Sequence, residues 1–95
     1  MKISHRELCR RIKWRDNGSG SLDLRDMGIT EIEKIPEDIT HLDVSNNALR
    51  ELPELSKNIR KVNVSGNNLD VRYANYHNLK YGSTTTFIGL ENEDE

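Results

Sequence analysis

Aliphatic residues recur in this chain at intervals of twenty residues. Three segments align in this period, each with a polar residue between two aliphatic ones: Leu22–Leu24, Leu42–Val44 and Val62–Val64. The same columns extend to fifteen positions, all of them aliphatic, and the other nine are Ile29, Ile32, Ile35, Ile39, Leu49, Leu52, Leu55, Ile59 and Leu69. Only 34% of the chain is hydrophobic, so chance would fill about five of the fifteen positions. The repeat is therefore a structural signal.

The chemistry within each unit predicts a short strand followed by a tight turn. Two aliphatic residues separated by a polar one point to the same side of a strand, and stacking of successive units would pair the strands in parallel. Asn47 and Asn67 follow Leu42 and Val62 by five residues, where a buried amide can satisfy backbone groups that are freed as each strand ends. The sequence therefore predicts a ladder of inward-pointing asparagines, with Met27 interrupting it in the first unit.

The segments that return the chain from one strand to the next are short and contain proline. Pro36 lies in one of them and Pro53 in the other. Because proline disrupts a helix interior and so few residues cannot form a full helix, extended or 3₁₀ geometry is predicted there.

Residues 39–53 match the pattern L-x-x-L-x-V-x-x-N-x-L-x-x-L-P with isoleucine at its first position. This segment resembles the leucine-rich repeats of the short, twenty-residue bacterial class, which occur in type III secreted effectors and in small bacterial and phage proteins. The resemblance covers about residues 19–71. It implies an α/β solenoid with a short parallel β-sheet, extended or 3₁₀ return segments, an N-terminal capping helix and a C-terminal cap.

The ends of such a stack expose apolar surface, so caps are expected around a single domain over residues 1–95. Ser4 and Glu7 form a capping box that predicts a helix in an N-terminal cap over 1–18, with Leu8 and Ile12 facing the first repeat. Three repeats over 19–71 precede a C-terminal cap over 72–90, which holds Tyr73, Tyr76, Tyr81, Phe87 and a predicted closing strand near 84–88. An acidic tail covers 91–95.

The polar residues that alternate with the aliphatic columns form the predicted binding surface. They would line the concave side of the sheet, and they are Ser21, Asp23, Arg25, His41, Asp43, Ser45, Lys61, Asn63 and Ser65. Asp23 and Asp43 would lie side by side on strands about 4.8 Å apart. Two interpretations remain open: the carboxylates await a cation or a basic residue of another protein, or Arg25, His41 and Lys61 neutralise them within the chain.

A second candidate surface is a basic patch near the N-terminus. It consists of Arg6, Arg10, Arg11, Lys13 and Arg15, with Trp14 as a possible stacking side chain. Phosphate binding is one interpretation, and a solvated helix face is the other. The formal net charge of −2 for the whole chain argues against a dedicated nucleic-acid binder.

The sequence offers no set of residues for catalysis, a metal or a cofactor. His41 beside Asp43 lacks a second histidine or cysteine at ligand spacing. Cys9, the single cysteine, cannot close an internal disulfide and is expected to be half-buried against Leu22, although its flanking arginines leave its reactivity open. The chain shows no signal peptide and no apolar run of membrane-spanning length, so we expect a protein of the bacterial or host cytoplasm, and secretion by a route without a cleaved signal stays open.

These features together predict a non-catalytic protein-binding module. By analogy with the bacterial and phage repeats, we expect a small adaptor or inhibitor that docks a protein partner on the concave sheet face. The alternative is a nucleic-acid or anionic-surface binder that acts through the basic N-terminal helix. The oligomeric state and the identity of the partner do not follow from the residues.

Overall fold

The strands form where the twenty-residue columns place them, with additional strands at both ends. A computed structural model describes residues 1–69, 78–82 and 84–89. Its elements in chain order are β1 (Lys2–Ile3), α1 (His5–Cys9), β2 (Ile12–Trp14), β3 (Gly20–Asp23), β4 (Glu31–Ile32), β5 (Ile39–Asp43), β6 (Lys61–Asn63) and β7 (Thr86–Ile88). A helical turn covers residues 78–81.

The main sheet has five strands in the order β2-β3-β5-β6-β7. Its parallel part keeps the columns in register, because Leu22 pairs with Leu42 and Leu42 pairs with Val62. All fifteen predicted aliphatic positions lie in the core, each with no more than 8% of its surface exposed. Ile3 and Leu8 complete this core from the N-terminal segment.

The predicted asparagine ladder is confirmed by its hydrogen bonds. The Asn47 side-chain oxygen accepts from two backbone amides of the preceding unit at 3.0 Å, while its nitrogen donates to carbonyls at 2.8–2.9 Å. Asn67 repeats this pattern twenty residues later, accepting from the Leu49 amide at 2.9 Å and donating to the Val44 carbonyl at 2.8 Å. These amides satisfy backbone groups at the strand ends that would otherwise be buried without partners.

The predicted fold class, an α/β solenoid of repeats closed by helical and C-terminal caps, is wrong. The chain folds into a small globule with a mixed five-stranded sheet, a separate two-stranded parallel sheet of β1 and β4, and little helix. The radius of gyration of 12.7 Å is close to the value of about 12.4 Å expected for a compact domain of this length. The return segments contribute strand β4 and irregular backbone.

The structure first differs from the predicted fold in the N-terminal segment. Helix α1 starts as predicted, because the Ser4 hydroxyl accepts a hydrogen bond from the Glu7 amide at 3.2 Å. It ends at Cys9, however, and residues 12–14 form strand β2, which runs antiparallel to β3. The predicted helical cap over 1–18 is thus mostly strand and turn, which makes the sheet mixed.

Gly20 explains how β2 fits against the sheet. A Cβ atom added at Gly20 would lie 2.7 Å from Ile12 Cγ2 and 3.2 Å from the Trp14 ring. Ile12 and Trp14 alternate with the charged Lys13, so the strand turns two large apolar side chains toward the side on which Gly20 leaves space. Ile12 packs against the core, whereas Trp14 stays 56% exposed.

The described C-terminal residues close the other edge of the sheet. Strand β7, which falls within the predicted closing strand, pairs in parallel with β6, and the buried Thr85 hydroxyl donates to the Ile59 carbonyl at 2.8 Å. The predictions for Tyr73, Tyr76 and the acidic tail over 91–95 lie outside the described residues. Within the described residues, no helix has the length and apolar character needed to span a membrane.

Candidate functional site

The outer side of the main sheet carries a shallow concavity of about 290 Å³. We call this surface the sheet face, and it is lined by Lys13, Ser21, Leu22, Asp23, His41, Leu42, Asp43, Lys61, Asn63 and Ile88. Six of the nine predicted binding residues line it. The other three, Arg25, Ser45 and Ser65, follow the ends of β3, β5 and β6.

The strand registers arrange the sheet face in two rows. The acidic row consists of Asp23, Asp43 and Asn63, which pair in sequence across β3, β5 and β6. The basic row lies two residues earlier on the same strands and also includes β2. It consists of Lys13, Ser21, His41 and Lys61, again paired in sequence.

Arg25 offsets one of the two negative charges of the acidic row within the chain. Its Nε and a terminal nitrogen donate to the two Asp23 carboxylate oxygens at 2.9 and 3.0 Å, and its Nε also lies 3.9 Å from Asp43 Oδ2. These hydrogen bonds from Arg25 lower the pKa of Asp23, and in turn the Asp23 carboxylate raises the pKa of Arg25. Of the two interpretations of the neighbouring carboxylates, the structure supports neutralisation by Arg25.

Backbone amides donate hydrogen bonds to further side-chain oxygens of the acidic row. Asp43 Oδ1 accepts from the Ser45 amide at 3.0 Å, and Asn63 Oδ1 accepts from the Ser65 amide at 3.0 Å and its hydroxyl at 2.7 Å. These turns end β5 and β6, which gives both side chains a structural role. Ser45 is only 6% exposed, so this predicted binding residue has little surface to offer a partner.

The basic row has different partners. Among the described residues, the hydrogen-bond partner of the His41 ring is the neighbouring Thr40 hydroxyl, 3.0 Å from Nδ1. Lys13 and Lys61 are exposed, and no ion pair involves either one among residues 1–69, 78–82 and 84–89. His41 and Lys61 therefore do not neutralise the aspartates, contrary to that part of the second interpretation.

Two residues of the sheet face were missed or misplaced by sequence reasoning. Lys13 was assigned to a helical basic patch, but strand β2 turns it toward Ser21 and Asp23 on the sheet face. The signal was its position between Ile12 and Trp14, an alternation typical of a strand. Ile88 was recognised as a strand residue, but only its pairing with Asn63 brings it to the sheet face, where it is 36% exposed.

The predicted basic patch is divided by this arrangement. Glu7 lies 2.9 Å from Arg11 Nε and 3.7 Å from Arg10 Nη1, so one carboxylate offsets part of the positive charge. Lys13 points away from the side that carries Trp14, because successive residues of a strand alternate. Arg6 and Arg15 are exposed.

Cys9 is exposed, so the prediction that it is half-buried against Leu22 is wrong. Helix α1 ends at this residue, and its Sγ lies 3.5 Å from His5 Nε2, one helical turn earlier. In the described part of the chain, no three histidine, cysteine or acidic side chains are grouped as metal ligands.

A larger concavity of about 620 Å³ lies between the return segments around residues 33–37 and 53–58. Its polar groups bind one another. The Glu54 carboxylate accepts from Tyr81 Oη at 2.6 Å and contacts Lys80. This hydrogen bond raises the pKa of Tyr81. The Glu37 carbonyl accepts from Ser56 and Asn58 side chains at 3.0 and 3.2 Å, so these contacts hold the return segments together.

No protein-family model, curated protein or solved structure matches this chain. The resemblance to bacterial leucine-rich repeats therefore stays a prediction based on the residue pattern. The chemistry of the sheet face is the basis for inferring a function.

Proposed function

We propose that this chain is a non-catalytic protein-binding module that docks a protein partner on the sheet face. The observation that carries the proposal is the convergence of polar side chains from β2, β3, β5 and β6 on one concavity, with the exposed Ile88 of β7 at its margin. Interfaces commonly combine an apolar contact with surrounding polar groups. The role proposed for a module of this size is that of a small adaptor or inhibitor.

The area also favours a protein partner of limited extent. Five strands of three to five residues, about 4.8 Å apart, give a sheet face on the order of 200–300 Å² in plan. Specific complexes bury about 600 Å² or more on each partner, so residues beside the sheet face must contribute to the contact. Several polar residues of the sheet face are already ordered by hydrogen bonds, such as Asp23 with Arg25. A partner would therefore lose little free energy to ordering them on binding.

A bulky residue placed in the concavity tests the proposal. Ser21 lies in the middle of the basic row and has no side-chain hydrogen bond among the described contacts. The purified full chain is used to capture partner proteins from a cell lysate, and quantitative mass spectrometry measures the captured amount. The binding is then measured again with the isolated partner. We expect Ser21→Tyr to abolish binding in both measurements. Thr84→Tyr is the matched control, because Thr84 is exposed and lies on a separate concavity lined by residues 57–60, Gly82, Thr84 and Thr85.

Equal capture by wild type and Ser21→Tyr overturns the proposal, and loss of capture in Thr84→Tyr would then place the docking surface on the other concavity. Circular dichroism and thermal unfolding should first establish that both variants fold. Loss of the same binary complex in Ser21→Tyr alone supports docking on the sheet face.

The second candidate function is binding of nucleic acid or another anionic surface through the N-terminal basic residues. The observation that favours it is the exposed Trp14 in the same segment as Arg10, whose side chain is 76% exposed. Binding by phosphate contacts should weaken steeply with salt, and Arg10→Ala with Arg11→Ala should abolish it. If only nucleic acid is recovered with the chain and these substitutions remove it, this function replaces the first.

A further inference from the structure

The basic row is the part of the sheet face whose lysines form no ion pair with the described residues, although the charge of Lys13 contributes to lowering the pKa of Asp23. Lys13, His41 and Lys61 lie at the same height on neighbouring strands, with Ser21 between the first two. The described residues supply no carboxylate within ion-pair distance of either lysine. A ligand with negative charge would therefore find cations whose partners need not be displaced.

The acidic row limits the kind of anion that fits. Asp23 and Asp43 lie two residues along their strands from Ser21 and His41, which corresponds to about 6.6–6.8 Å. Arg25 offsets one of these two negative charges. A ligand must place its own negative charge on the basic row and neutral atoms beside the acidic row.

The spacing of the cations points to an extended chain that crosses the strands. Neighbouring strands lie about 4.8 Å apart, so three steps separate Lys13 from Lys61 by about 14 Å along the sheet. In an extended peptide, side chains on one side repeat every two residues, about 6.8 Å. Carboxylates at positions i and i+4 are therefore about 13.6 Å apart and match the two lysines, whereas i and i+4 in a helix are only about 6 Å apart.

We propose that the basic row binds an extended acidic segment of the partner protein, with carboxylates at i and i+4 paired to Lys13 and Lys61. This inference rests on the proposed protein-binding function. The i+2 side chain of the segment lies between Ser21 and His41, where an acidic or hydroxyl side chain can receive or donate a hydrogen bond. The neutral backbone of the segment then lies beside the acidic row, and its i+1 and i+3 side chains point away from the sheet.

Charge complementarity favours an acidic polypeptide over single-stranded nucleic acid. A phosphodiester chain carries a negative charge on every nucleotide, so a segment that spans the basic row brings more phosphates close to Asp23 and Asp43 than the two lysines can pair. A polypeptide can alternate acidic and neutral residues. The apolar Ile88 at the margin offers a further contact for a neutral side chain.

The test is an NMR titration of the ¹⁵N-labelled full chain with blocked peptides of equal charge. The first probe has glutamates at positions i and i+4 in a threonine-rich, β-favouring background. The second has the same two glutamates at i and i+2. We expect the first to bind about threefold or more tightly, with the largest shifts at Lys13, Ser21, His41 and Lys61, because only its carboxylates span both lysines.

Charge reversal at the row provides the matched variants. Lys61→Glu should weaken binding of the i,i+4 peptide by about fivefold or more. Lys57→Glu makes the same change in net charge at an exposed lysine outside the sheet face. This control should alter the affinity for the peptide by less than about twofold. Raising the salt from about 0.05 to about 0.3 M should weaken the wild-type complex, since the pairs are exposed.

Equal affinity for the two peptides, or equal weakening by Lys61→Glu and Lys57→Glu, overturns the inference. So does tighter binding of a thymidine oligonucleotide than of the i,i+4 peptide. The proposed function is tested separately: if Ser21→Tyr still removes the protein partner while Lys61→Glu leaves that complex unchanged, docking on the sheet face stands and the acidic segment does not. If Ser21→Tyr has no effect either, both fail.

Discussion

The two sides of the main sheet use the same residue types for different purposes. On the inner side, the buried Asn67 amide joins its own unit to the preceding one, because it binds both Leu49 and Val44. On the outer side, the Asn63 side chain accepts hydrogen bonds from Ser65, two residues later in the same turn, and from no other described residue. The inner asparagine therefore connects units that are distant in sequence, and the outer one closes a local turn.

The outer side itself divides in the same way. Asp23 in the acidic row is held by Arg25 at 2.9 and 3.0 Å, whereas Lys61 in the basic row has no ion pair among the described residues. Groups that are satisfied inside the chain stabilise its turns, and groups that are not satisfied remain for a ligand. This difference is the physical basis for choosing the basic row as the binding element.

The largest expected effect comes from Asn67→Ala. Removing the amide leaves the buried Leu49 N–H without an acceptor and removes hydrogen bonds to the Val44 and Val64 carbonyls. The Val44 carbonyl keeps the Asn47 donor. An unsatisfied buried group costs about 1–3 kcal/mol and each lost hydrogen bond about 1 kcal/mol, so we expect the free energy of unfolding to fall by about 3 kcal/mol. Urea denaturation monitored by circular dichroism measures this change.

Asn63→Ala is the matched control on the outer side. It removes contacts of a partly exposed turn that water can replace, so the loss should be about 1 kcal/mol or less. Similar losses in the two variants would contradict the division between a connecting inner side and a locally satisfied outer side.

A smaller effect is expected at Gly20, where strand β2 packs against the inner side of the main sheet. Gly20→Ala should destabilise the fold by about 1–3 kcal/mol, because the new methyl group would lie 2.7 Å from Ile12 Cγ2. Combining it with Ile12→Ala removes the colliding atom, so the double variant should lose less than the sum of the single losses. Strict additivity would show that β2 does not pack against Gly20.

Much of the inner side could be predicted from the sequence, because its signal repeats. Fifteen aliphatic positions and two asparagines recur at one spacing, and each repeat supports the assignment of the others. Strand β2 could not be predicted in this way. Ser4 and Glu7 start a helix, and the i,i+4 pair Leu8 and Ile12 favours its continuation, but tertiary packing of Ile12 over Gly20 prevails.

The part of the sheet face that lies on the repeated strands could also be predicted, because its residues alternate with the aliphatic columns. Alternation with the aliphatic columns identified Ser21, His41 and Asn63, whose positions depend only on their own strands. Lys13 and Ile88 reach the face through pairing with β3 and β6. Such pairing between an end segment and the repeats leaves no periodic signal in the sequence.

The smallest effect concerns the charge balance of the acidic row. The hydrogen bonds from Arg25 lower the pKa of Asp23 below its usual 3.8, and Arg25→Gln should return it toward that value. Because the folded-state pKa is the lower one, the pair stabilises the fold above the unfolded-state pKa, and this contribution is lost as the pH falls through the folded-state pKa. The stability difference between wild type and Arg25→Gln should therefore shrink below about pH 4.

Carboxyl ¹³C NMR titration of both proteins measures the pKa directly, and Arg25→Lys serves as the control that keeps the charge but loses the paired geometry. We expect the Asp23 pKa to rise in the order wild type, Arg25→Lys, Arg25→Gln. If Asp23 titrates at the same pH in all three, Arg25 does not hold the acidic row in solution. Asp23 would then be free to bind a basic group of a partner, and the distinction between a satisfied acidic row and an open basic row would no longer hold.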